Sequence, residues 1–217
     1  MKEFSKWTIE EVEETFELRQ VEQSQWLDAW QTAELVTTPH EEARLLELCN
    51  VLRHHVLDWN EEELKIYFIG PLLNLVNYLH ETYQAFFERR LSVKIEQGQL
   101  AGIVDCVIAQ GRRSPKRPYF CLQEYKPERH SSNDPLGQLT VAMIAAHILN
   151  HADQPIYGAY VVGRLWFFVA LHQRSYAVSL AQDATKEDDV RRIFTMLKYI
   201  KQLIEQELGS HDTRDSR

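Results

Sequence analysis

The run Gly102-Ile103-Val104-Asp105-Cys106-Val107-Ile108-Ala109 constrains this chain more than any other segment. It is apolar apart from one carboxylate and β-branched at several positions, the pattern of a strand buried on both faces. A strand of that kind needs a packed layer on each side of its sheet. The chain has the means to supply them, with 217 residues of which 44% are hydrophobic. That fraction excludes a disordered polypeptide, and eight Gly with seven Pro exclude collagen-like and low-complexity classes. Asp105 is the anomaly. An ionised carboxylate in such a strand costs free energy unless it is paired or bound to a cation.

The flanking pattern extends the sheet. Leu91 to Gln97 alternates apolar and polar residues, Gly98 marks a turn, and Tyr119 to Lys126 reads as a third strand stopped by Pro127. The three form a meander. Upstream, residues 8–58 read as helices, with capping signals at Thr8 with Glu11 and at Thr38-Pro39-His40-Glu41. Asn60 with Glu63 starts another helix, whose apolar face carries Leu64, Phe68, Leu72, Leu75 and Leu79. Pro71 lies inside it and predicts a kink or a break. Downstream, Asp134 and Pro135 start a helix that runs to Asn150. Ile156–Val162 and Leu165–Leu171 read as strands joined at Gly163-Arg164, with a short edge strand over Tyr176–Leu180 and a final helix over Thr185–Leu208. The order predicts an α/β fold with a central mixed sheet flanked by helices. Residues 1–58 form an added acidic helical region packed on the core, 59–208 the α/β core, and 209–217 a disordered tail.

The formal net charge of −8 argues against avid nucleic-acid binding, yet the charge is unevenly spread. Residues 1–65 hold 6 basic and 16 acidic side chains, whereas 88–130 hold 9 basic and 5 acidic ones. The acidic helices could bind a protein partner or shield a site. The basic turn with Arg112, Arg113, Lys116 and Arg117 is a candidate contact for a phosphate backbone, and equally a solvated loop. No apolar stretch is long enough for a leader or a membrane span. Cys49, Cys106 and Cys121 lack metal-type spacing and read as buried reduced thiols, so a cytoplasmic protein without a membrane is expected. His147 and His151 stand four apart but have no evident third ligand. There is no nucleophile elbow, phosphate loop or dinucleotide fingerprint.

The chemistry centres on Asp105 and the strand end Glu124-Tyr125-Lys126. Residues two apart on a strand share a face, so Glu124 and Lys126 emerge together, with Asp105 beside them if the strands pair. Two carboxylates offer hard oxygen ligands for Mg²⁺ or Mn²⁺, and a neighbouring ammonium can orient water or balance charge on a phosphate. The alternative is a buried salt bridge between Asp105 and Lys126 with no metal. An acid-x-Lys tripeptide alone carries little information. The chain has a second one, Glu63-Leu64-Lys65, on a helix where positions two apart do not share a face.

In this context the chain resembles the PD-(D/E)XK nuclease superfamily, whose core runs helix–strand–strand–strand–helix–strand, here from Asn60 to Val162. It looks like small bacterial members that carry Glu-Tyr-Lys-Pro-Glu followed by Gly-Gln-Leu. The resemblance implies a restriction-endonuclease-like core and a metal-dependent nuclease hydrolysing phosphodiester bonds, most of all in DNA. It assigns Asp105 and Glu124 as metal ligands together with the backbone carbonyl of Tyr125, and Lys126 as the catalytic lysine. It adds Glu61 from the first core helix, on the helical face of Leu64 and Phe68, and Gln138 from the second, where Ala142 stands in place of the Tyr of the exonuclease-like branch. Many related enzymes pair as homodimers. The alternative within the same resemblance is a catalytically inactive nuclease-fold module acting in protein or nucleic-acid interaction.

Overall fold

Side-chain caps start five of the helices of this computed structural model, which describes residues 2–96, 98–129, 134–151 and 153–212. Strand β1 (Lys2–Glu3) precedes helix α1 (Ile9–Phe16), where Thr8 and Glu11 close a reciprocal capping box. After β2 (Arg19–Gln20) and α2 (Gln25–Thr32), α3 (Pro39–His55) opens on a second box formed by Thr38 and Glu41. A third, Asn60 with Glu63, starts α4 (Glu61–Leu64). The expected interruption at Pro71 takes the form of a π-helical turn over Lys65–Ile69, followed by α5 (Gly70–Val76). A proline ring clashes with the carbonyl four residues back. Widening the preceding turn, with Gly70 N–H donating to the Lys65 carbonyl, lets the chain continue as a helix instead of breaking.

The sheet is built from β3 (Tyr83–Ile95), β4 (Gly98–Gln110) and β5 (Lys116–Lys126), an antiparallel meander as expected. Helix α6 (Pro135–Asn150) then crosses over to β6 (Ile156–Val162), which pairs parallel to β5. Strands β7 (Leu165–His172) and β8 (Ser175–Val178) continue antiparallel, β9 (Gln182–Asp183) adds to β7, and α7 (Glu187–Asp212) closes the fold. The order is β1-β4-β5-β6-β7-β8-β2, with β3 on the other side of β4. This is an α/β fold with a mixed central sheet flanked by helices.

Several boundaries move. β3 begins at Tyr83, well before Leu91, and β5 takes in Lys116 and Arg117, which leaves only 111–115 as the basic turn. α7 runs through Asp212, so part of the expected disordered tail is helical, and 213–217 lie outside the described residues.

Two apolar layers sandwich the sheet. On one face α2, α3, α4, α5 and α7 pack over Cys106, Ile108, Tyr125 and Phe168. Trp30 anchors α2 there, fully buried, with edge-on contacts to Tyr157 and Phe168 and its indole N–H donating to the Met196 carbonyl at 2.6 Å. On the other face α1 and α6 cover Val104, Val107, Leu122 and Val169. Residues 1–58 are therefore divided between both layers. Cys49, Cys106 and Cys121 are free and buried. No described helix is long and apolar enough to cross a membrane.

Candidate active site

The β4–β5 ladder pairs Ile108 with Cys121, Val107 with Leu122 and Cys106 with Gln123. One step further Asp105 faces Glu124, and a side chain takes over the pairing: Asp105 Oδ2 accepts the Tyr125 N–H at 2.7 Å. Strand alternation breaks at this position. Val104 joins one apolar layer and Cys106 the other, although residues two apart on a regular strand share a face. On β3 the residue opposite the break is Glu88, between the pairs Phe87–Cys106 and Arg89–Val104. Its φ is 49°, an uncommon left-handed value for a residue with a side chain. The distortion turns Asp105 out of the core towards the strand ends.

Lys126 completes the strand end. Its Nζ donates to Glu124 Oε1 at 2.7 Å and to the Tyr125 carbonyl at 3.0 Å, and lies 3.9 Å from Glu61 Oε2. Glu61 arrives from the first turn of α4. From the same helix end comes a residue that the sequence reading did not single out. Lys65 Nζ lies 2.8 Å from Glu61 Oε1, 3.0 Å from Glu88 Oε1, 3.3 Å from Glu62 Oε1 and 3.6 Å from Asp105 Oδ1. The signal was present as the i, i+4 spacing from Glu61, once Glu61 was assigned to the face towards the sheet.

Burial and crowding set the electrostatics. Glu124 is 7% exposed, and its carboxyl is pushed up to about 7 by burial first, then by the Asp105 charge, against the pull of Lys126. Burial likewise raises Asp105, against the Tyr125 N–H, Lys65 and Lys126, which favour its charged form. Burial opposes the charge on Lys126, but Glu124, Asp105 and Glu61 outweigh it and hold the ammonium protonated. Lys65 is held in the same way by Glu61, Asp105 and Glu88. Three carboxylates, Glu61, Asp105 and Glu124, thus share two ammonium groups, which leaves an unbalanced negative charge when all are ionised.

The structure brings together Asp105, Glu124, Lys126, the Tyr125 carbonyl and Glu61. Gln138 stands apart from them in its bonding. It is buried in the first turn of α6 with its side-chain nitrogen unpartnered among the described residues. The basic quartet is not brought to this spot. Six residues of β5 lie between Arg117 and Glu124, and Arg117 donates instead to the Leu149 carbonyl at the far end of α6. Arg112, Arg113, Lys116 and Arg117, the candidate contacts for a phosphate backbone, thus belong to the start of β5 and the turn before it, apart from the Asp105–Glu124–Lys126 cluster at its end. His151 ends α6 in a left-handed conformation. Among the described residues no three His, Cys, Asp or Glu side chains form a preassembled metal cluster, because the carboxylates here close on lysines. No family model matches the chain, and a search of the curated proteins returns no match.

Proposed function

We propose that this protein is a divalent-metal-dependent phosphodiesterase acting on DNA, with a core of the restriction-endonuclease-like, PD-(D/E)XK type. The observation that carries the reading is the meeting of Asp105, Glu124 and Lys126 at one strand end, where with Glu61 three carboxylates face two ammonium groups. A hard cation suits this donor set. The ligands would be Asp105, Glu124 and the Tyr125 carbonyl, all oxygen, and an added positive charge would favour the ionised form of Glu124, whose carboxyl burial and then the Asp105 charge push up to about 7. Glu61 lies beside them as a further acidic neighbour.

When bound, Mg²⁺ or Mn²⁺ supplies Lewis-acid polarisation of a phosphoryl oxygen and a more acidic water. The remaining roles fall to the chain. The Tyr125 N–H fixes the Asp105 carboxylate. Glu124 and the Tyr125 carbonyl aim the Lys126 ammonium, which positions the attacking water and offsets charge on the phosphate. DNA as substrate rests on the family resemblance.

Calorimetric titration with Mn²⁺ and a plasmid-nicking assay test this directly. Asp105→Asn should abolish metal binding. Lys126→Ala should keep the fold and lose roughly 10²-fold or more of the cleavage rate. Undiminished cleavage by Lys126→Ala would overturn the assignment. A second reading draws on Lys65, whose ammonium already occupies a place beside Glu61 and Asp105 that a cation would take: an inactive nuclease-fold module that binds a partner. A wild-type protein that takes up no Mn²⁺ decides for it.

A further inference from the structure

Lys65 takes no part in the proposed metal ligation or water positioning, yet three unusual features meet at its ammonium. It starts the π-helical turn, it contacts Glu88 at the one left-handed residue of β3, and it reaches Asp105 where strand alternation breaks. Its four carboxylate partners fall into two sets. Glu61 and Asp105 face the site, with Asp105 only 13% exposed. Glu62 and Glu88 lie outside it, 72% and 57% exposed. The contact with Asp105 is the longest of the four, at 3.6 Å. An ammonium so placed can give up its inner partners and keep its outer ones with no unpaired charge left buried.

Resting on the metal-binding reading above, we infer that Lys65 is an internal stand-in for the divalent cation. Its ammonium holds Glu61 and Asp105 in the metal-free protein and withdraws onto Glu62 and Glu88 when the ion arrives. Lys65 is in this sense a positioning residue, and it sets the metal concentration at which the site fills. Ion and ammonium compete for the same carboxylates. Removing the ammonium must therefore favour the ion, while removing its outer partner must disfavour it.

The test is Mn²⁺ titration by calorimetry on the full chain, with folding monitored by circular dichroism. Lys65→Met should tighten Mn²⁺ binding about tenfold, as expected for losing one nearby positive charge, and should lower the melting temperature measured in EDTA. Glu88→Gln should weaken Mn²⁺ binding about threefold by confining the ammonium to the inner carboxylates. If Lys65→Met does not fold, Lys65→Gln carries the same expectation. Shifts of opposite sign support the inference. Unchanged affinity in both variants, or shifts of the same sign, overturn it and leave the phosphodiesterase proposal standing. Folded wild type and folded variants that all ignore Mn²⁺ overturn both. A wild type that ignores Mn²⁺ beside a Lys65→Met protein that binds it supports the stand-in and counts against catalysis.

Discussion

Glu124 ties the site to pH. Its carboxyl ionises near 7 in the folded protein, against 4.5 for an ordinary glutamate, because it is buried beside Asp105. Between those values the native state binds more protons than the unfolded chain, so stability falls as pH rises from about 4.5 to about 7. Asp105, raised for the same first reason, adds to the trend. Lys65 and Lys126 stay protonated throughout that window. Urea denaturation in EDTA at pH 5 and pH 7.5 should show the decline, and Glu124→Gln should flatten it; an equal decline in that variant would remove Glu124 as its source. The site was partly legible in the sequence for a physical reason. A lone acid in an apolar run, and an acid and a lysine two apart on a strand, are anomalies that only a cluster resolves. Lys65 was harder to read, because its only signal was the i, i+4 spacing from Glu61 within a charged stretch of helix. Its inward contacts depend on a turn widened by a proline six residues on.

Helix termini show how tightly the elements are clasped. The Asp134 carboxylate serves two helices at once: Oδ1 accepts the Gly137 N–H of α6 at 2.9 Å, and Oδ2 accepts the Ile9 N–H of α1 at 2.6 Å. Both positive helix ends converge on one charge. The packing there leaves no room for a side chain on Gly137, where a Cβ would stand 2.5 to 2.7 Å from backbone atoms of Trp7, Thr8 and Ile9. Asp134→Ala should cost roughly 2 kcal/mol, above the usual single cap, and Asp134→Asn less. A loss under roughly 0.5 kcal/mol by urea denaturation, within the range of an ordinary surface change, would contradict the double role. Caps and crossovers were readable because Thr, Asn, Asp and Pro act locally. The reach of β3 was not, since Glu88-Arg89-Arg90 interrupts the alternation that marks a strand. Backbone pairing of Phe87, Arg89 and Arg90 with β4 carries the strand through this stretch without any help from periodicity.

On the scale of the whole molecule, the N-terminal helices are structural parts of both layers. Leu27, Trp30 and Leu45 belong to one core and Phe4, Val12 and Leu18 to the other. The chain should therefore unfold in one cooperative step, with far-ultraviolet circular dichroism and tryptophan fluorescence giving the same midpoint. Two separated transitions would show that residues 1–58 fold independently. β3 also has a bearing on how the molecule behaves in company. Among the described residues its strand partner is β4 alone, so about every second residue along its thirteen turns its amide and carbonyl groups to the open outer side. A straight border of that length invites other chains to add on and aggregate. The left-handed twist at Glu88 interrupts it midway and sets charged residues at the bend. A β-branched residue at 88 disfavours the left-handed bend and lacks the carboxylate, and that change would give this protein a smoother rim on which to clump.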